Sequence, residues 1–131
     1  MNQKQKKIKK ESKRFKKSLN LTIAIPTLNS ENTLHITMNS ILNQDLNNFR
    51  LKIVLIDSGS EDKTKELFFS YGDKLDLVFK NIGKCSIGEA RNYAIKNITT
   101  DYFIFLDSDD ALIADRLSSD FKILNKFSNL N

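Results

Sequence analysis

Three of the four residues 107–110 are aspartates. This segment directly follows the most apolar run of the chain, residues 102–106. In an extended segment side chains alternate, so Asp107 and Asp109 would point the same way and clamp one cation. Oxygen ligands of this kind suit a hard divalent metal such as Mg²⁺ or Mn²⁺. The same residues also fit a solvated turn in which Asp110 caps the segment that follows. The acidic cluster therefore predicts either a cation site or a polar turn.

The elements that position this cluster alternate between short apolar runs and amphipathic stretches. Predicted strands cover residues 21–25, 52–56, 75–79 and 102–106, and Pro26 is expected to stop the first of them. The first predicted helix is capped by Asn29 or Ser30 and ends near residue 42; the others cover residues 61–69, 87–97 and 114–127. Strands and helices in this order predict an α/β fold, a doubly wound and mainly parallel sheet.

The chemically unusual segments all fall at the predicted carboxyl ends of the strands. They are residues 26–30, 57–60, 81–91 and 107–110. Ligands of doubly wound sheets bind at this edge, near the point where the strand order reverses. Three other polar segments are thus predicted at the same sheet edge as the acidic cluster. Their common position favours a cation site over a simple turn.

Length and composition indicate one domain with a basic N-terminal tail. Residues 1–18 hold eight Lys and one Arg against one Glu, a net +8, so the remaining 113 residues carry −3 of the chain's net +5. We therefore divide the chain into a tail, residues 1–18, and a domain, residues 19–131. The single cysteine, Cys85, excludes an internal disulfide and a cysteine-based zinc site. No run has the length and apolarity of a signal peptide or membrane span, so we expect a cytoplasmic protein.

The tail itself has two interpretations. Lys-rich segments with few apolar residues are typically disordered and solvated. Alternatively, residues 1–18 are attracted to an anionic membrane surface, which would make the protein peripheral on the inner membrane face. Nucleic acid is a less favoured partner, because the acidic body offers no basic surface.

Four motifs in order resemble family 2 glycosyltransferases of the GT-A type. They are Ile-Pro-Thr-Leu-Asn at 25–29, Asp-Ser-Gly-Ser at 57–60, Gly-Glu-Ala-Arg-Asn at 88–92 and Phe-Leu-Asp-Ser-Asp-Asp at 105–110. Residues 40–44, Ser-Ile-Leu-Asn-Gln, are also similar to the family. The resemblance covers about residues 21–117. It implies the Rossmann-like nucleotide-binding half of a GT-A fold, incomplete at the C-terminus.

The resemblance implies a site for a nucleotide-diphosphate sugar. The family's D-x-D element would hold Mg²⁺ or Mn²⁺ through Asp109 with help from Asp107, and the cation would stabilise the departing nucleoside diphosphate. Arg91 supplies a permanent positive charge for the base or a phosphate. The nucleotide-sugar-binding residues implied are Pro26, Thr27, Asn29, Asp57, Ser58, Arg91 and Asp107.

Two departures from the family pattern limit the inference. Many members carry an acidic residue where this chain has Ser58, and there it recognises the base. Inverting members also take their catalytic base from a segment well beyond the D-x-D element, whereas about 21 residues follow Asp110 here. We therefore expect the base and the acceptor half beyond Asn131, and no catalytic residue is predicted in this chain.

Two functions follow from this interpretation. The first is the donor-binding half of an inverting glycosyltransferase that acts on a glycan or lipid-linked acceptor. The second is a non-catalytic nucleotide-sugar-binding or assembly module. A phospho-acceptor receiver domain and a D-x-D phosphatase are disfavoured, because both need an acidic pair after the first strand and residues 26–29 contain none.

Overall fold

The computed structural model describes residues 2–6 and 18–127. From residue 18 onward strands and helices alternate. The strands are β1 (Leu19–Thr27), β2 (Phe49–Asp57), β3 (Asp76–Asn81) and β4 (Tyr102–Phe105), and the helices are α1 (Leu34–Leu42), α2 (Thr64–Phe69), α3 (Ile87–Asn97) and α4 (Arg116–Phe127).

The strands form one parallel sheet in the order β3-β2-β1-β4. The chain builds outward from β1 through β2 to β3, and α3 then carries it back across the sheet to β4 on the other side of β1. The strand order therefore reverses between β1 and β4, which is where doubly wound sheets bind their ligands. The predicted α/β, parallel, Rossmann-like architecture is confirmed.

Helices cover both faces of the sheet. The larger apolar cluster joins alternate residues of β1 and β2, such as Ile23 and Ile53, to Met38 of α1, Phe68 of α2 and Leu117 of α4. A smaller cluster on the opposite face joins Ala24 and Ile56 to Ala90 and Ala94 of α3. Because side chains alternate along a strand, neighbouring residues of β1 enter different clusters.

The prediction that Pro26 stops the first strand is wrong. β1 continues to Thr27, and Pro26 pairs with Ile56 of β2. The Ala24 carbonyl accepts a hydrogen bond from the Leu106 N–H on the β4 side. The Pro26 nitrogen, two residues later, points the same way but lies beyond the end of β4. Its missing donor therefore removes no bond from the ladder with β2.

Helix starts differ from the predictions more than strands do. α1 begins at Leu34, after an N-cap residue, Thr33, whose side chain makes no capping hydrogen bond, so neither Asn29 nor Ser30 is the cap. α2 begins at Thr64 and not near residue 61. The polar residues that precede both helices make contacts between loops instead. Only at α3, where Ser86 accepts from the Glu89 N–H, does a predicted boundary carry a side-chain cap.

The N-terminal tail lies largely outside the described residues. Residues 3–6 form one helical turn, and residues 7–17 are not described. The proposed solvated or membrane-surface role of residues 1–18 therefore stays a prediction. Among the described residues, no helix combines the length and the apolarity that crossing a membrane requires.

Candidate functional site

The acidic residues after β4 form a hydrogen-bonded turn. β4 ends at Phe105, and the Asp110 N–H donates to the Asp107 carbonyl at 3.0 Å. Carboxylate oxygens of Asp107, Asp109 and Asp110 lie within 4.8 Å of one another. The extended geometry predicted for this segment is wrong, because the backbone turns there. The turn brings the Asp110 carboxylate beside those of Asp107 and Asp109, although the predicted cation site included only the latter two. We call Asp107–Asp110 the acidic turn.

The donor set of the acidic turn fits a divalent cation. It consists of carboxylate oxygens alone, the ligand type that Mg²⁺ and Mn²⁺ prefer. Asp109 and Asp110 are exposed, and within the described residues no hydrogen bond or ion pair engages their carboxylates. Negative charges at this spacing repel one another, and a cation between them would offset that repulsion.

Arg91 of α3 lies beside the acidic turn, as predicted. Its Nη2 donates to Asp107 Oδ1 at 3.1 Å, and its guanidinium lies 5.8 Å from the centroid of the Phe105 ring. The two charged side chains are 42% and 38% exposed, so solvent screens the pair. Arg91 Nε is buried and has no hydrogen-bond partner in the described part of the chain.

A chain of hydroxyl groups connects the end of β1 to the acidic turn. Thr27 Oγ1 donates to Ser30 Oγ at 2.7 Å, and Ser30 Oγ shares a hydrogen bond of 2.7 Å with Ser108 Oγ. Thr27 and Ser30 are buried. The predicted site residue Thr27 thus acts on the acidic turn through Ser30. Sequence reasoning missed Ser30 and Ser108, although both lie in strand-end segments that it singled out.

Asn29 joins the loop after β1 to the loop after β2. Its φ of 50° lies in the left-handed region, which asparagine tolerates better than most residues. Its backbone N–H donates to Ser60 Oγ at 2.8 Å, and its side-chain Oδ1 accepts from the Glu61 N–H at 2.9 Å. The amide oxygen predicted to face the nucleotide therefore already holds the second loop.

Asp57 is only 1% exposed and is engaged by the loop that follows it. Its Oδ2 accepts from the Ser60 N–H at 2.9 Å, and its Oδ1 accepts from the Ser60 hydroxyl. Ser58, also buried, donates its N–H to the Thr27 carbonyl, and its Oγ lies 3.3 Å from Cys85 Sγ.

The same two loops are bound together by a second set of polar side chains, those of Thr64, Asp62 and Glu31. The Ser30 N–H donates to Thr64 Oγ1, and the Glu31 N–H donates to Asp62 Oδ2 at 3.1 Å. The Glu31 carboxylate in turn accepts from the Lys63 N–H at 3.0 Å. We call these contacts, with those of Asn29, Asp57 and Ser60, the loop clamp.

The pKa of Asp62 reflects its place in the loop clamp. Burial raises the pKa of this carboxyl, but hydrogen bonds from the Thr64 hydroxyl and from backbone N–H groups, including that of Glu31, lower it by more in sum. The net effect is a pKa below the ordinary value of 3.8. Asp62 is therefore ionised at neutral pH and accepts these bonds as a carboxylate.

The structure brings the predicted site residues to one edge of the sheet in two groups. Asp107, Asp109 and Arg91 are close together, and their charged groups reach solvent in part. The other predicted residues belong to β1, β2 and the loop clamp: Pro26, Thr27, Asn29, Asp57 and Ser58. Of these five, only Asn29 is exposed.

Comparison with known proteins identifies the family. Residues 22–127 match the sequence profile described as Glycosyl transferase family 2. An uncharacterized glycosyltransferase of Rickettsia typhi is 37% identical over 109 residues, which are 83% of this chain and 33% of that protein. The poly(ribitol-phosphate) beta-N-acetylglucosaminyltransferase TarS of Staphylococcus aureus is 31% identical over 94 residues, 70% of this chain and 16% of that protein.

Solved structures show the same arrangement. The structure of TarS residues 1–349 in complex with UDP-GlcNAc superimposes with a TM-score of 0.76 at 26% identity, over 84% of this chain and 32% of that one. A Pyrobaculum calidifontis mannosyltransferase, solved with GDP-Man and Mn²⁺, has a TM-score of 0.70 over 82% of this chain and 32% of that one. At 24% identity this second likeness concerns the fold.

Both kinds of comparison match only part of the longer proteins. The chain spans 33% of its Rickettsia typhi relative and 32% of the TarS fragment. The family profile, in contrast, covers most of the described residues, including β2, β3, β4 and all of β1 from residue 22 onward. The chain therefore belongs to glycosyltransferase family 2, and its sheet corresponds to the N-terminal part of the GT-A fold.

Proposed function

We propose that this chain binds a nucleotide-diphosphate sugar and holds the diphosphate through Mg²⁺ or Mn²⁺ at the acidic turn. The observation that carries the proposal is the convergence of three carboxylates within 4.8 Å at the reversal point of a family 2 sheet. The S. aureus relative TarS was solved with the donor UDP-GlcNAc. The proposed activity is inverting transfer of the donor's sugar to a glycan or lipid-linked acceptor.

The acidic turn supplies the cation ligands in this proposal. Asp109 and Asp110 hold exposed carboxylates, and Asp107 adds the oxygen that its pairing with Arg91 leaves available. The chemistry that a bound cation supplies is stabilisation of the negative charge on the departing nucleoside diphosphate. The carboxylates serve as ligands and not as a general base.

Arg91 recognises the negative charge of the donor. Its guanidinium is held between Asp107 and the Phe105 ring, so its orientation is set before a ligand arrives. Arginine suits this role, because its planar group presents several N–H donors to phosphate or base oxygens and stays charged. Pre-orientation lowers the entropy that binding costs.

The loop clamp forms a rigid wall for the nucleoside. Asn29 and Asp57 hold the loops after β1 and β2 at a set spacing, and Ser58 lies between them and Cys85. We assign the nucleoside to this wall, with contacts from backbone groups near Pro26 and Thr27 and from the amide NH₂ of the exposed Asn29, whose oxygen already binds the Glu61 N–H. A serine hydroxyl either donates or accepts, so Ser58 predicts weak discrimination between bases.

A calorimetric titration tests the proposal. The full 131-residue chain is titrated with UDP- and GDP-sugars in the presence of Mn²⁺, and again in EDTA. We expect binding that requires the cation and that a nucleoside monophosphate reproduces poorly, because it lacks the second phosphate. A folded sample that binds no nucleotide sugar in Mn²⁺, or binds it equally well in EDTA, would rule the proposal out.

A further inference from the structure

A row of polar side chains on and next to α1 binds the backbone of the acidic turn. Thr33, the residue before α1, donates from Oγ1 to the Ser108 carbonyl at 3.0 Å. Thr37, one turn later, donates from Oγ1 to the Asp110 carbonyl at 2.6 Å. Two of the turn's carbonyl groups are thus bound by hydroxyls of another element.

The same row continues to the segment between the acidic turn and α4. Ser40 Oγ accepts from the Leu112 N–H at 3.0 Å. Gln44 makes two hydrogen bonds beyond the acidic turn: its Nε2 donates to the Ile113 carbonyl at 2.7 Å, and its Oε1 accepts from the Leu117 N–H at 3.0 Å. Leu117 lies in the first turn of α4, where N–H groups have no partner within the helix. Gln44 therefore caps α4 from a distance.

Helical spacing explains why these four residues act together. They occur at i, i+4, i+7 and i+11, so Thr37 and Ser40 lie on one side of α1, and Thr33 and Gln44 extend the row just before and just after the helix. We call Thr33, Thr37, Ser40 and Gln44 the polar stripe. Two members belong to residues 40–44, the segment whose resemblance to the family was noted without a role. Thr37 is 0% exposed and Gln44 is 6% exposed, so both make their bonds away from water.

The segment held by the polar stripe has little regular structure of its own. Residues 110–113 lie in neither a helix nor a strand. Backbone groups in such a segment need partners from elsewhere. The stripe supplies them at Asp110, Leu112 and Ile113. The position of the acidic turn is therefore set by α1 as well as by β4.

We propose that the polar stripe of α1 is the positioning device of the acidic turn and thereby sets its affinity for a divalent cation. The inference rests on the proposed function, since it concerns the same cation site. None of the four side chains touches the cation in this proposal. They act by holding the backbone that carries the carboxylates, as partners that orient metal ligands do elsewhere.

The test measures Mn²⁺ affinity, from the free-ion electron paramagnetic resonance signal, in variants of the full chain. Thr37→Val keeps the side-chain volume and removes the hydroxyl, and Gln44→Ala removes the contacts to the Ile113 carbonyl and the Leu117 N–H. Thr37→Ser restores the hydroxyl. The matched control is Thr22→Val, because Thr22 of β1 is also buried and bonds a hydroxyl, that of Thr100, at 2.7 Å.

We expect Thr37→Val and Gln44→Ala each to weaken Mn²⁺ binding by roughly 10-fold, the lower end of the range for residues that orient metal ligands. Thr37→Ser and Thr22→Val should bind like the parent. Amide hydrogen exchange, read at Leu112 and Leu117, should become faster in Gln44→Ala. Affinities are compared per folded molecule, with the folded fraction taken from circular dichroism. Thr33→Ala, at the rim of the stripe, replaces any variant that does not fold.

The outcomes separate this inference from the proposed function. If exchange at residues 108–117 is faster in the stripe variants while Mn²⁺ affinity is unchanged, the positioning role is refuted and the proposed function stands. An equal loss of affinity in Thr22→Val would also refute it, because the effect would then be general. If the parent binds no Mn²⁺, the proposed cation site fails and the stripe's role in binding fails with it.

Discussion

The loop clamp and the acidic turn lie at the same edge of the sheet and use their polar groups in opposite ways. In the loop clamp the polar side chains are engaged in hydrogen bonds within the protein. Both carboxylate oxygens of Asp57 bind Ser60, and the Asn29 amide oxygen binds the Glu61 N–H. In the acidic turn other residues hold the backbone, and the carboxylates of Asp109 and Asp110 have no protein partner among the described residues.

This difference shows which polar residues are able to take a ligand. A buried carboxylate that accepts two hydrogen bonds stabilises the fold, and an incoming ligand would have to displace those bonds. Exposed like charges held close together oppose one another, so they reduce stability until a cation arrives. In the proposed function, side chains of the acidic turn therefore contribute to binding, whereas those of the loop clamp contribute mainly to the shape of the site.

The largest effect should follow from Asp109→Ala. The substitution removes an exposed carboxylate that has no described protein partner, so thermal stability should hold or rise slightly as repulsion falls. Mn²⁺ affinity should drop by at least about 100-fold, beyond the range for residues that only orient ligands. Calorimetry and a thermal melt measure the two quantities. Asp73→Ala, at another exposed aspartate, is the control. Normal Mn²⁺ binding by Asp109→Ala would remove the acidic turn from the proposed site.

Asp57→Asn should show the reverse pattern. The change removes the charge from a buried acceptor of two hydrogen bonds, so the free energy of unfolding should fall by about 2 kcal/mol. The folded fraction should keep its affinity for Mn²⁺ alone. Urea unfolding measures the first quantity and Mn²⁺ titration the second, with Asp76→Asn on the exposed start of β3 as the control. Unchanged stability together with lost Mn²⁺ binding would reverse the comparison between the two regions.

Arg91→Met should give the smallest change in affinity, and the change should have opposite signs for Mn²⁺ alone and for UDP with Mn²⁺. Methionine keeps an apolar stem over Phe105 but removes the charge that pairs with Asp107. A screened pair is worth at most about 1 kcal/mol, so Mn²⁺ alone should bind about 2- to 5-fold more tightly. UDP in the presence of Mn²⁺ should bind more weakly. Lys96→Met, in the last turn of the same helix, is the control. Weaker binding of Mn²⁺ alone would show that Arg91 supports the acidic turn and does not compete for it.

Strand positions and the edge that carries the site were predictable from sequence, because apolar runs and polar strand ends are local patterns. The cores of all four predicted strands are present, and Arg91, Asp107 and Asp109 meet as expected. Helix starts were less predictable. A serine or asparagine before an apolar stretch has the same local signature whether it caps a helix or bonds a distant loop, as Asn29 does with Glu61.

The order of apolar and polar segments was enough to predict a parallel α/β sheet, the edge that carries the candidate site, and the family, because each depends on residues close together in the chain. Tertiary structure alone decided which polar groups are bound within the protein and which remain available to a ligand. Asp57 and Asp109 both lie at strand ends in similar sequence contexts, yet a neighbouring serine engages one carboxylate and the other stays exposed. Nothing in the local sequence marks Thr37 or Gln44 as a partner of residues 110–117, which only the fold brings beside them. Such pairings join residues about 70 positions apart, and no local pattern encodes them.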